Sequence, residues 1–269
     1  MLRDITFGQY FQGNSKVHRL DPRTKLLLLI LIIVFIFLTQ NMISLLIATV
    51  FTACAVIMSK VPLRLYLKNL KAILPIIIFT AIINVFYGNE GKVLFSIFRL
   101  TVNTGGVYRA VFMALRILLL IVLSSVLTYT TTPNDLTDAI EKLLSPLKFI
   151  GLKNAVHTLA MMMTIALRFI PTLVEETEKI MNAQKARGAD LENGKLTERI
   201  KALVPILIPL LISAVRRAYE LAEAMECRCY NGGEGRQRMK KLQFTLLDVI
   251  AGFVSVLFCG LIILFNLVF

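Results

Sequence analysis

Few residues in this chain are of a type that does chemistry. It holds two histidines, His18 and His157, and four cysteines, Cys54, Cys227, Cys229 and Cys259. That is too few histidines for a metal or acid–base centre, and no His-Glu-x-x-His occurs. Cys227 and Cys229 form a Cys-x-Cys, but no second pair lies nearby in sequence to complete a metal site. No Gly-x-x-x-x-Gly-Lys-Ser/Thr is present; Asn193-Gly194-Lys195-Leu196 lacks both the phosphate loop and the hydroxyl. No catalytic, cofactor or metal residue is assigned. A repeated basic element remains. Aligning Arg187 with Arg228, 41 positions on, sets Ala183-Gln184-Lys185-Ala186-Arg187-Gly188 against Ala224-Met225-Glu226-Cys227-Arg228-Cys229. Each arginine stands between small residues near the end of a helix of about 30 residues. Arginine near one helix C-terminus merely complements the dipole. A matched pair points to docking instead, each unobstructed guanidinium serving as a plug for an acidic groove.

The elements that position these arginines follow from composition. Of 269 residues, 57% are hydrophobic and 17% charged, with a mean hydropathy of +0.73. Soluble domains are less apolar and more charged, so a secreted soluble protein, a disordered chain and a collagen-like fibre are excluded. Leu26 to Ser59 is uncharged for 34 positions and broken only by Thr39-Gln40-Asn41. It predicts a helical hairpin over about 25–38 and 42–58. A third span is expected over 72–89, with Pro75 tolerated near its start. A fourth is expected near 107–131, where Arg109 and Arg116 need a partner, water or the interface. The last runs from Val249 to Phe269. With no small-residue cleavage site after a short apolar core, the first span is expected to act as its own insertion signal.

Net charge is +13, from 30 Lys+Arg against 17 Asp+Glu. In a membrane protein that excess marks cytoplasmic loops beside anionic lipid rather than nucleic-acid binding. Arg3, Lys16, Arg19, Arg23 and Lys25 precede the first span; Lys60, Arg64, Lys68 and Lys71 follow the second. The charge rule therefore predicts a multi-pass protein of the cell membrane with a cytoplasmic N-terminus. Three regions are expected: four spans over 1–131, a cytoplasmic coupling region over 132–243, and a final span over 244–269. Thr132-Pro133-Asn134-Asp135 reads as a capped helix start. Gly188 and Gly232-Gly233 read as helix stops. Asn154–Leu167 and Ala202–Val215 are uncharged for 14 residues each, the length of buried or re-entrant helices, and each continues into a polar half. Glu175, Glu176 and Glu178 read as a solvated face. Met161-Met162-Met163 reads as either an adaptable partner surface or core packing.

Four motifs together resemble the transmembrane T component (EcfT, CbiQ-like) of energy-coupling factor ABC transporters. They are His18-Arg19-Leu20-Asp21-Pro22-Arg23-Thr24-Lys25, Thr130-Thr131-Thr132-Pro133, Ala186-Arg187-Gly188, and Glu226-Cys227-Arg228-Cys229-Tyr230-Asn231-Gly232-Gly233. The resemblance implies an all-α integral membrane protein of about five spans plus long coupling helices crossing as an X. It implies that Arg187, with Ala186 and Gly188, docks on one ABC-type ATPase subunit, and that Arg228, with Cys227 and Cys229, docks on a second. It further implies a membrane-embedded S component that binds a vitamin or metal ion, with ATP hydrolysed on the partner chains. The family's usual second motif is Ala-Arg-Gly, so the flanking cysteines are a departure. Two rivals stand against this reading. A lipid-modifying enzyme would need clustered acidic residues, which are dispersed here. A stand-alone carrier would need facing polar or broken helices at mid-membrane in repeated halves.

Overall fold

The structure is a computed structural model that describes residues 10–87, 93–97, 100–146, 153–189, 196–231 and 243–268. Its elements are α1 (Pro22–Leu38), α2 (Met42–Ser59), α3 (Leu63–Tyr87), β1 (Val93–Ile97), β2 (Leu100–Asn103), α4 (Thr104–Thr130), α5 (Pro133–Leu143), α6 (Lys153–Ala186), α7 (Leu196–Glu226) and α8 (Leu246–Val268). The chain is an all-α membrane protein with one short addition. The loop after the third span carries an antiparallel hairpin pairing Ile97 with Leu100 and Ser96 with Thr101. A segment without clean alternation between two long apolar helices gave no signal of it.

Six helices among the described residues are long and apolar enough to cross a membrane: α2, α3, α4, α6, α7 and α8. At 17 residues, α1 is roughly 25 Å long, slightly short for the hydrocarbon core. The predicted first hairpin is present, with Thr39 closing α1 and Asn41 at the N-cap position of α2. Pro75 lies inside α3 and does not end it.

Two compact units divide the chain. One is a helix bundle of α1–α4, α8 and the start of α5. Its core joins Ile36 of α1, Leu45 of α2, Leu119 of α4 and Ile262 of α8, each at most 3% exposed. A second cluster sets Tyr66 of α3 edge-on to Tyr129 of α4 at 5.2 Å. There the Tyr129 hydroxyl donates to the Leu65 carbonyl, 3.1 Å away. α3 packs mainly on α4. Gly106 permits that approach, because a Cβ there would meet the Val85 carbonyl oxygen at 2.5 Å. The other unit holds the end of α5 with α6 and α7.

α5 begins as its sequence implies. The Thr132 hydroxyl donates to Asp135 Oδ2 at 2.8 Å and accepts the Asp135 N–H at 3.2 Å, a reciprocal cap. α6 and α7, at 34 and 31 residues, run antiparallel past each other. Gln184 of α6 approaches the Pro205 carbonyl, whereas Glu176 meets Ser213 and Arg217. As numbers fall along one helix they rise along the other.

Candidate functional site

The two arginines occupy the same position in the same backbone motif. At the end of α6 the Gly188 N–H donates to the Lys185 carbonyl and the Ala189 N–H reaches back to Gln184. At the end of α7 the Cys229 N–H donates to the Glu226 carbonyl and the Tyr230 N–H reaches back to Met225. Both are Schellman ends, which satisfy helix carbonyls that otherwise lack partners. In each, the arginine is the C-cap and the following residue turns left-handed: Gly188 at φ 88° and Cys229 at φ 51°.

The small residue after each arginine thus has a conformational role that spacing alone did not suggest. Glycine enters the left-handed region at no steric cost, whereas a side chain there opposes it. Gly188 stops α6 as expected. α7 ends at Glu226 with its closing turn at Cys229, and the expected stop at Gly232-Gly233 lies outside the described residues.

Ala186, Arg187, Gly188, Cys227, Arg228 and Cys229 are all exposed. Neither arginine side chain makes a hydrogen bond or ion pair among the described residues, so both guanidiniums are open to a partner. Both cysteines carry free thiols. No group of three or more His, Cys, Asp or Glu that could hold a metal occurs among the described residues.

Between the tips lies a contact that the sequence reading missed. Glu176, assigned to a solvated face, is part-buried and engaged. Its Oε1 accepts a hydrogen bond from the Ser213 hydroxyl, and its Oε2 stands 3.1 Å from Arg217 Nη2. Glu176 and Arg217 are 41 positions apart, the same offset as the two arginines. That coincidence was the available signal. Met162 and Met163 lie exposed on α6, at 54% and 39%, which favours the partner-surface reading over core packing.

A second polar group gathers three of the bundle's helix ends. Lys25, expected only to mark a cytoplasmic flank, is 8% exposed. Its Nζ donates to the Thr130 carbonyl at 2.9 Å, to the His18 carbonyl at 3.2 Å and to Thr131 Oγ1 at 3.4 Å. The charges of Asp135, Asp248 and Asp21 surround it. Asp248 at the start of α8 accepts the Asp21 N–H at 2.8 Å, while Asp21 caps α1 through the Arg23 N–H. His18 is locked by Ser15 Oγ at 2.7 Å and the Phe11 carbonyl at 2.9 Å, so it is structural. The histidine-to-lysine and threonine motifs, far apart in sequence, therefore meet. Arg116 finds its partner too: it donates to the Thr39 carbonyl at the end of α1 and lies 4.7 Å from the Phe112 ring centroid.

Comparison with known proteins matches the chain over residues 13–240 to the family profile of CbiQ, described as a cobalt transport protein. It is 53% identical over 269 residues to the energy-coupling factor transporter transmembrane protein EcfT of Ruminiclostridium cellulolyticum, covering 100% of both chains. It is 46% identical to EcfT of Bacillus subtilis, covering 92% of this chain and 93% of that one. Against EcfT of Lactococcus lactis the identity is 41%, over 98% and 99% of the two chains. A match of this depth along the whole length of a helical membrane protein places the chain in the EcfT/CbiQ family of energy-coupling factor transporter transmembrane proteins.

Proposed function

We propose that this chain is the non-catalytic coupling subunit of an ATP-driven importer, and that Arg187 and Arg228 each dock on one of two ABC-type ATPase subunits. The observation that carries the reading is the shared hydrogen-bond motif of the two helix ends, each presenting an exposed arginine at the C-cap. The antiparallel arrangement supports two partners rather than one. Each tip lies 11 residues beyond its own half of the Glu176–Arg217 pair, so the guanidiniums are separated by roughly 30 Å along the helix axes. Movement of the ATPases would pass through α6 and α7 to an S component in the membrane that carries a vitamin or metal ion. The basic flanks of the first three spans support a cytoplasmic N-terminus.

Co-purification tests it. Arg187→Glu and Arg228→Glu should each weaken ATPase recovery, and the double variant should lose it. An acidic groove meeting glutamate carries a buried charge without its counterpart, which costs about 3–5 kcal/mol per site. Undiminished ATPase recovery with both substitutions would refute the docking role.

A further inference from the structure

We infer that Glu176 and Arg217 are positioning residues that set the pivot of the α6–α7 lever, an inference that rests on the two tips being the ATPase attachments. The pair joins equivalent positions of the duplicated helices, since 176 and 217 are related by the same 41-residue offset as 187 and 228. It therefore gives the lever two arms of equal length, 11 residues from contact to arginine on each helix.

The chemistry suits a locator better than a glue. With side chains 38% and 23% exposed, Arg217 and Glu176 form a pair that adds little to stability. Their value is direction. On α7 the apolar side chains Leu207, Leu211 and Ile212 are exposed and fix no register, and apolar contact in general tolerates sliding by a turn because it has no preferred angle. A carboxylate that takes a serine hydroxyl on one oxygen and a guanidinium on the other admits one register. Charged side chains at helix crossings are among the better attested devices for specifying register. A lever whose arms must move two ATPases together needs that register held through each cycle.

The test uses the full complex in proteoliposomes, reading cargo uptake per ATP hydrolysed alongside ATPase co-purification. Glu176→Arg and Arg217→Glu, each placing like charges at the crossing, should cut uptake per ATP about tenfold, a coupling typical of residues in direct contact. Both should retain their ATPase subunits, because the tips are untouched. The exchanged double variant, Glu176→Arg with Arg217→Glu, should return to near the wild-type ratio. Three results would overturn the pivot: single variants that transport like wild type, an exchange no better than the singles, or singles that lose their ATPases. The docking reading falls separately, on the arginine tip variants, so the two failures are distinguishable.

Discussion

The bundle and the helix pair place their polar contacts oppositely. In the bundle, the buried charged groups sit at helix ends: Lys25 and Asp248 tie the start of α1, the end of α4 and the start of α8, while Ile36 and Ile262 of the apolar core are 0% exposed. In the helix pair the charged contact lies within the helices, in the C-terminal half of each, between Glu176 and Arg217, while residues such as Leu211 remain 66% exposed. Ends that are stapled resist separation, which suits a frame. A pair whose charged contact lies 11 residues short of each exposed arginine has leverage, which suits transmission of movement. The difference teaches where each unit tolerates change.

Lys25→Met should expose that contrast most. Removing the ammonium leaves the Thr130 carbonyl without its donor and takes a counter-charge from Asp135, Asp248 and Asp21, and an acceptor left unsatisfied in the interior costs about 1–3 kcal/mol. Denaturant unfolding in detergent should show the loss, and an unchanged midpoint would remove the staple from the frame. The tips should respond far less. Gly188→Ala meets no atom within 4 Å, so its cost is purely the left-handed backbone, about 1 kcal/mol. Amide exchange at Ala189, whose N–H closes the α6 end, should quicken about fivefold for that cost. The smallest effect has the opposite sign. Cys229→Gly relieves the side chain at φ 51°, worth about 0.5 kcal/mol after the entropy glycine gains in the unfolded chain. Exchange at Tyr230 should slow accordingly. Same-sign effects at 188 and 229 would show that the two ends are not equivalent.

Much of the fold was readable one helix at a time. Uncharged runs located the membrane helices because burial in lipid forbids charge over a fixed length. Thr132, Pro133 and Asp135 marked the start of α5 because a cap is satisfied within one turn. The arginine tips were legible as a repeat, and their similarity extends to the backbone. The role of Gly188 was only half legible, as a stop, while the left-handed turn at Cys229 was not, since cysteine carries no such preference. The β1–β2 hairpin was missed because its segment offers no alternation against the apolar helices around it.

What the residues alone determined is local: which stretches are helical and apolar, where they are capped, and that one helix design with an arginine at its end occurs twice. Those properties depend on neighbours within a few turns, so the chain order contains them. What only the tertiary structure decided is partnership across distance, as with Lys25 and Thr130, 105 positions apart, or Glu176 and Arg217, 41 apart. A lysine at a span end satisfies the charge rule equally well in water or in a buried staple. A glutamate on a polar face is compatible with any helix rotation. Packing selects one rotation and one register, and that selection converts a charged flank into a staple and a solvated face into a crossing contact.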